Sequence, residues 1–201
     1  MIRVVYDHQI FSLQSYGGVS RYFVELASAV ATDPDFDVGI VAPIHLNRLL
    51  RANRALRLHG VYVPHLHGTG RLRFLSNAGA SRLFLAGRRT DLVPATYFTF
   101  TPPAPARIPA VLTVFDMIHE LFPGSFPATD TTPARKRAAA LRASHIICIS
   151  ESTRRDLLQH IDVVPVRVSV VPLAADPTLR SRASSLRRRH IYRWHGPRPA
   201  H

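Results

Sequence analysis

Short apolar runs rich in β-branched residues alternate with stretches of helical periodicity along residues 1–176. The first run, Ile2 to Tyr6, is nearly continuous in apolar character, the pattern of a strand buried on both faces. A polar loop follows as far as Gly18. Val19, Tyr22, Phe23, Leu26, Ala27 and Val30 then recur at helical spacing, with Arg21, Glu25 and Ser28 on the other face. Further strands are expected from Asp37 (DVGIVAP), Val61 (VYVP), Asp91 (DLVPATYF), Ala110 (AVLTVF), His145 (HIICIS) and Arg167 (RVSVVP). Helices are expected from His45 (HLNRLLRANRAL), from Arg71 with an interruption near Gly79, from a Thr132 cap with Pro133 at the first position, and after a Ser150 cap. Residues 102–109, PPAPARIP, read as a connector. This alternation predicts an α/β fold: a mostly parallel twisted sheet of six or seven strands with helices on both faces. Ligands of such sheets sit beyond the carboxyl ends of the strands. The loops after Tyr6, Tyr97, Phe115 and Ile149 should therefore converge on one site.

Composition limits the alternatives. A hydrophobic content of 46% supports a sizeable core, and no apolar run reaches the ~18 residues that span a bilayer. The N-terminus has neither a long apolar stretch nor a small-residue cleavage site, so it reads as the first strand and not as a leader. The single cysteine, Cys148, can form no intramolecular disulfide, which fits a cytoplasmic setting. Net charge is +13, but residues 1–176 hold 19 basic against 13 acidic residues. That excess of +6 suits phosphates as well as a polynucleotide, and no nucleic-acid-binding module is recognisable. From Pro177 onward there is no acid and no periodicity. Residues 177–201 read as a disordered basic tail or, as the abrupt change in composition favours, as GC-rich DNA translated out of frame.

Two segments carry candidate chemistry. In SYGGVSRYF, from Ser15 to Phe23, Gly17 and Gly18 precede a helix; glycines there permit positive φ and close approach, and the helix end offers free N–H groups to a phosphate. The alternative is a plain turn. In TVFDMIHELFP, from Thr113 to Pro123, Asp116 directly follows the central strand, with His119 and Glu120 in the next turn. Such a trio can bind sugar hydroxyls or serve in acid–base work, unless Asp116 merely caps a short helix. ISESTRRDLL, from Ile149, is a capped helix in its own right.

The succession YGGVSRYF, TVFDMIHELFP, HIICISESTRRDLL and VSVVPLAAD resembles the N-terminal domain of the retaining GT-B glycosyltransferases of carbohydrate-enzyme family 4. The resemblance covers residues 1 to about 176 and implies a Rossmann-like domain, the N-terminal half of a GT-B fold. It implies transfer of a sugar from a nucleotide-sugar donor to a hydroxyl, on a glycan or lipid-linked acceptor, with retention. No metal or other cofactor is implied. By the same resemblance Gly17 and Gly18 approach the donor diphosphate, Asp116 and His119 line the cleft at the reacting sugar, and Arg21, Glu120, Ser150 and Glu151 edge it on the acceptor side. Asp176 would lie near the crossover to a second domain. Many relatives carry His-Asp where this chain has Phe115-Asp116. The donor domain of such enzymes carries basic residues and two glutamates eight apart, yet no Lys follows Lys136 and no Glu follows Glu151. Residues 1–201 are therefore expected to be inactive alone; a non-catalytic glycan- or partner-binding module, or an inactive fragment, is the alternative.

Weaker signals favour structural readings. His65 and His67 lack neighbouring ligands and read as a surface loop. Cys148, within an apolar strand, reads as an inert buried thiol. The Arg- and Leu-rich stretch 71–89 reads first as a helix packed on the domain, and second as a basic face for peripheral contact with the inner side of a membrane.

Overall fold

The structure is a computed structural model that describes residues 1–65 and 68–174. Residues 1–171 form one compact unit; the described part of a second unit, 172–174, has no regular structure. His67, Asp176 and the basic tail lie outside the described residues. Among the described residues no helix is long and apolar enough to cross a membrane.

Among the described residues there are seven parallel strands: β1 (Ile2–Tyr6), β2 (Phe36–His45), β3 (Arg57–Tyr62), β4 (Val93–Ala95), β5 (Ala110–Val114), β6 (His145–Cys148) and β7 (Val168–Val170). Hydrogen bonding gives two half-sheets, β1-β2-β3 and β4-β5-β6-β7. A parallel bridge between Val4 and Leu92 joins them, reinforced by Val5 N–H donating to the Leu92 carbonyl at 3.0 Å. The strand order is therefore 3-2-1-4-5-6-7, and the chain reverses its direction of travel between β1 and β4, where doubly wound sheets open a crevice.

The helices are α1 (Gln9–Leu13), α2 (Gly18–Val30), α3 (Arg48–Ala52), α4 (Gly70–Ala86), α5 (Ile118–Leu121), α6 (Thr132–Arg142) and α7 (Glu151–His160). Phe23, Val24 and Ala27 of α2 are buried with β1 and β2 in one core cluster. Ala139 and Ala140 of α6 and Leu157 of α7 are buried with β5 and β6 in another. Cys148 belongs to this second core, and burial pushes its thiol up to about 11, so it is not a nucleophile at neutral pH.

Four local expectations need correction. The helix expected from His45 is only α3, because His45 ends β2. The Asn47 side chain accepts from Leu50 N–H and starts the helix late, while Asn53 accepts from Ala55 and Leu56 N–H and stops it early. This frees residues from Arg57 onward to form β3, four residues earlier than expected. Helix α4 runs through Gly79 without a break: the glycine faces open space, so the packed inner face of Asn77, Ser81 and Leu85 outweighs its ~1 kcal/mol propensity cost. Its outer face carries exposed Leu72, Leu75 and Leu83. Finally, α6 is started by the Asp130 carboxylate, which accepts from Thr132 N–H and Oγ1–H, and not by Thr132.

The seam is held by a buried polar knot. One oxygen of Asp7, just past β1, accepts from Gln9 N–H, Thr96 N–H and the Thr96 hydroxyl. Thr96, just past β4, in turn accepts from Ile10 N–H at 3.1 Å. The other Asp7 oxygen is buried without a hydrogen-bond partner. Burial pushes the Asp7 carboxyl up to about 6 against the pull of these donors, and pushes the neighbouring His8 imidazole down to about 4. The two groups bias stability in opposite directions. The part favoured by protonated Asp7 is present at low pH and lost as pH rises through 6. The part favoured by neutral His8 is present at neutral pH and lost as pH falls from 6.5 through 4. We predict that Asp7→Asn removes only the first, so its melting temperature rises more steeply between pH 4 and 6 than that of the wild type. Parallel melting-against-pH curves would show Asp7 to be ordinary.

Candidate functional site

The carboxyl ends of β1, β4, β5 and β6 face one edge of the sheet, and Phe115, just past β5, meets α2 and α7 there. Tyr22 of α2 packs edge-on against its ring, with centroids 5.2 Å apart, and Phe23 does so at 6.2 Å. Tyr6, at the end of β1, meets Phe23 at 6.3 Å. The Tyr22 hydroxyl shares a hydrogen bond with Thr113 of β5. From the other side, the Thr153 hydroxyl of α7 donates to the Phe115 carbonyl at 3.3 Å. The second turn of α2 and the first turn of α7 therefore flank the residue that precedes Asp116.

The two helix starts differ. Ser150 is extended and its Oγ accepts from Thr153 N–H, so α7 is capped as expected; Glu151 follows, exposed, in the first turn. Helix α2 has no side-chain cap, because the residue at that place is Gly17. Among the described residues no side chain accepts from its first amides, which lie at the positive end of a thirteen-residue helix. The glycine pair does not work by positive φ, contrary to expectation: Gly17 is extended at φ 175°, and Gly18 is the first helical residue. Its value is space. A side chain at Gly17 would run into the Gln14 amide, and nothing lies within 4 Å of where a Gly18 side chain would start. Arg21, one turn on, reaches the Glu25 carboxylate at 3.9 Å.

Of the Asp116, His119 and Glu120 trio, the structure keeps Asp116 and Glu120 on one ammonium, that of Lys136, and turns His119 away. Asp116 remains at the cleft, its side chain 49% exposed and one oxygen accepting from Ile118 N–H at 3.2 Å. It both starts α5 and keeps a carboxylate available. His119 turns away; its ring stacks on Phe126 at 4.0 Å, with Nε2 3.7 Å from Asp130. Glu120 turns inward onto Lys136 of α6, with Oε2 2.7 Å from Nζ. Lys136 is itself buried, donates to the Asp116 carbonyl at 3.0 Å and sits 5.4 Å from the centre of the Phe98 ring. One ammonium thus fixes the Asp116 loop from behind. Among the described residues no group of three or more His, Cys, Asp or Glu is placed to hold a metal ion.

Sequence reasoning did not single out Lys136, Asp7 or Thr96. Lys136 had one visible signal: it is the only lysine beside 25 arginines. A compact ammonium suits a closed site where a planar guanidinium would need a wider slot. Asp7 directly follows a strand end, as Asp116 does, but its partner is 89 residues away.

With this geometry in place, the chain can be set beside known proteins. The family model for glycosyltransferase family 4 matches residues 16–179. Among solved structures, HepE of Anabaena in complex with UDP and glucose matches with 18% identity and a TM-score of 0.53, over 93% of this chain and 49% of that one. HepE in complex with UDP matches with 15% identity and a TM-score of 0.49, over 92% and 50%. The chain thus spans about half the length of HepE, and at this identity the likeness speaks for the fold. No curated protein matches significantly.

Removing the Lys136 ammonium would strand the Glu120 carboxylate, whose side chain is 8% exposed. We predict that Lys136→Met costs about 3–5 kcal/mol of stability, and that adding Glu120→Gln recovers part of it. Urea unfolding measures both. A single variant within about 0.5 kcal/mol of wild type would mean that the pair is solvated.

Proposed function

The chain belongs to glycosyltransferase family 4, and from that premise we propose that residues 1–176 form the acceptor-side half of a nucleotide-sugar-dependent transferase. One observation carries this reading: the uncapped start of α2, the exposed Asp116 carboxylate and the start of α7 converge on Phe115 at the carboxyl edge of the sheet.

The proposed reaction moves a sugar from a nucleoside diphosphate to a hydroxyl acceptor, with retention at the anomeric carbon. Negative charge grows on the leaving diphosphate. The free amides at the start of α2, beside Gly17 and Gly18, face that charge with their dipole end, with no metal required for this interaction. Asp116 accepts hydrogen bonds from sugar hydroxyls in the cleft. Glu120 and Lys136 position the Asp116 loop, and His119 braces the turn after it through Phe126 and Asp130. Ser150 and Glu151 edge the acceptor side. HepE was solved with UDP and glucose, so a UDP-sugar is the donor to test first. The other wall of the cleft, with the groups that hold the nucleotide, would be a second domain of similar size.

Transfer of radiolabelled sugar tests this. Residues 1–201 alone should turn over negligibly, and transfer should appear when a donor-binding domain of the same family is co-expressed. In that pair Asp116→Ala, which removes the acceptor, should lower kcat/KM about tenfold or more. Robust turnover by the chain alone, or full activity of the Asp116→Ala pair, would contradict the proposal.

A further inference from the structure

The amino-terminal end of the sheet, opposite the cleft, carries a second concave site. Arg3 and Val5 of β1, Asp37 and Gly39 of β2, and Arg57 and His59 of β3 share one face in register. The end of α4 and the residues after it close the other side, adding Phe84, Arg88, Arg89 and Thr90. The resulting basin has a volume of about 430 Å³.

Its charge is unbalanced. Four guanidiniums and an imidazole line it against one carboxylate, Asp37. Asp37 is already taken by Arg57 at 2.7 Å and Arg3 at 3.5 Å. Arg89 is 3.6 Å from Asp91. Arg88 lies over the Phe84 ring at 4.4 Å, and no carboxylate among the described residues forms an ion pair with it. The Thr90 hydroxyl is buried without a hydrogen-bond partner. His59 rests on Phe84 at 4.6 Å, and its imidazole is held below the usual range by burial and by Arg88 and Arg57. The basin is therefore positive before any ligand arrives.

We propose that this basin binds a phosphate group, carried by a small phosphate ester or by a phospholipid head group. Guanidiniums recognise phosphate with paired, charge-assisted hydrogen bonds, and Arg88 has its fork to spare. Thr90 supplies a further donor. Gly39, without a side chain, leaves the floor open. The site is separate from the cleft and does not rest on the transferase reading.

The test is a titration of the 201-residue chain with inorganic pyrophosphate at low salt, followed by NMR of the His59 ring and the backbone amides. We expect saturable binding with a rise in the His59 pKa, since the anion offsets Arg88 and Arg57. Arg88→Glu should weaken binding about tenfold or more while leaving the melting temperature unchanged; Arg88→Gln serves if the reversed charge disturbs folding. Glycerol 3-phosphate and a short-chain phosphatidic acid below its micellar concentration then separate the sources. Tighter binding of the latter assigns a lipid head group, and equal binding assigns a free ester. No saturable His59 response at millimolar pyrophosphate, equal binding by the Arg88 variants, or shifts confined to the start of α2 would overturn the proposal.

Discussion

The cleft depends on the seam between β1 and β4. Among the described residues one bridge, with three backbone hydrogen bonds between Arg3 or Val5 and Asp91 or Leu92, joins the two half-sheets there, a shorter ladder than those within them. Two side-chain devices reinforce it. The Asp7–Thr96 knot fastens the carboxyl ends of the two strands in a closed interior. The aromatic cluster of Tyr6, Tyr22, Phe23 and Phe115 crosses the seam just above, packing the end of β5 into the β1–β2 core, and Tyr97 packs against both cores. A buried carboxylate is costly unless hydrogen-bonded, and Asp7 is served on one oxygen only. Its raised pKa is the mark of that imbalance, at the switch point where doubly wound folds put their ligands.

The edge above the seam combines opposite treatments of similar parts. Two helices begin within reach of Phe115; one is closed by its own serine and the other is left open by a glycine. A capped helix end is satisfied internally, whereas an uncapped one keeps its affinity for an anion. Between them Asp116 stays accessible because Lys136 grips its carbonyl and not mainly its carboxylate, whose nearer oxygen is 3.9 Å from Nζ. In the proposed reaction these features would act together: an anion site, a carboxylate near it, and rigid support beneath. The support here is a buried ion pair, which contributes less to net stability than to holding one geometry.

Much of this was legible in the sequence because it is local. Strand–helix alternation follows from periodicity, and the seven strands came from apolar runs bounded by turn residues. The Ser150 cap and the buried Cys148 were equally readable, since each depends on residues within a few positions. The misreadings arose where short polar side chains competed with the helix: Asn47 and Asn53 trimmed α3, and Asp130 displaced Thr132 as the group that starts α6. The candidate site was readable as four loops at one edge, but not as a set of contacts. Asp116 and Glu120 meet at the Lys136 ammonium, which lies 16 residues beyond Glu120 and so left no mark in the local pattern, while His119 is drawn off by Phe126 and Asp130. Long-range pairings such as Asp7 with Thr96 leave no trace in local pattern.

The account stands or falls on whether α2 and the end of β5 are in contact, since the packing of Tyr22 on Phe115 is what holds α2 against the residue that precedes Asp116. A double-mutant cycle on Tyr22→Leu and Phe115→Leu, read by urea unfolding, measures it directly. The structure predicts a coupling energy of about 0.5–1.5 kcal/mol, as expected for an edge-on aromatic pair. Additive losses, with a coupling near zero, would mean that the two elements do not meet and that the cleft is not assembled as described.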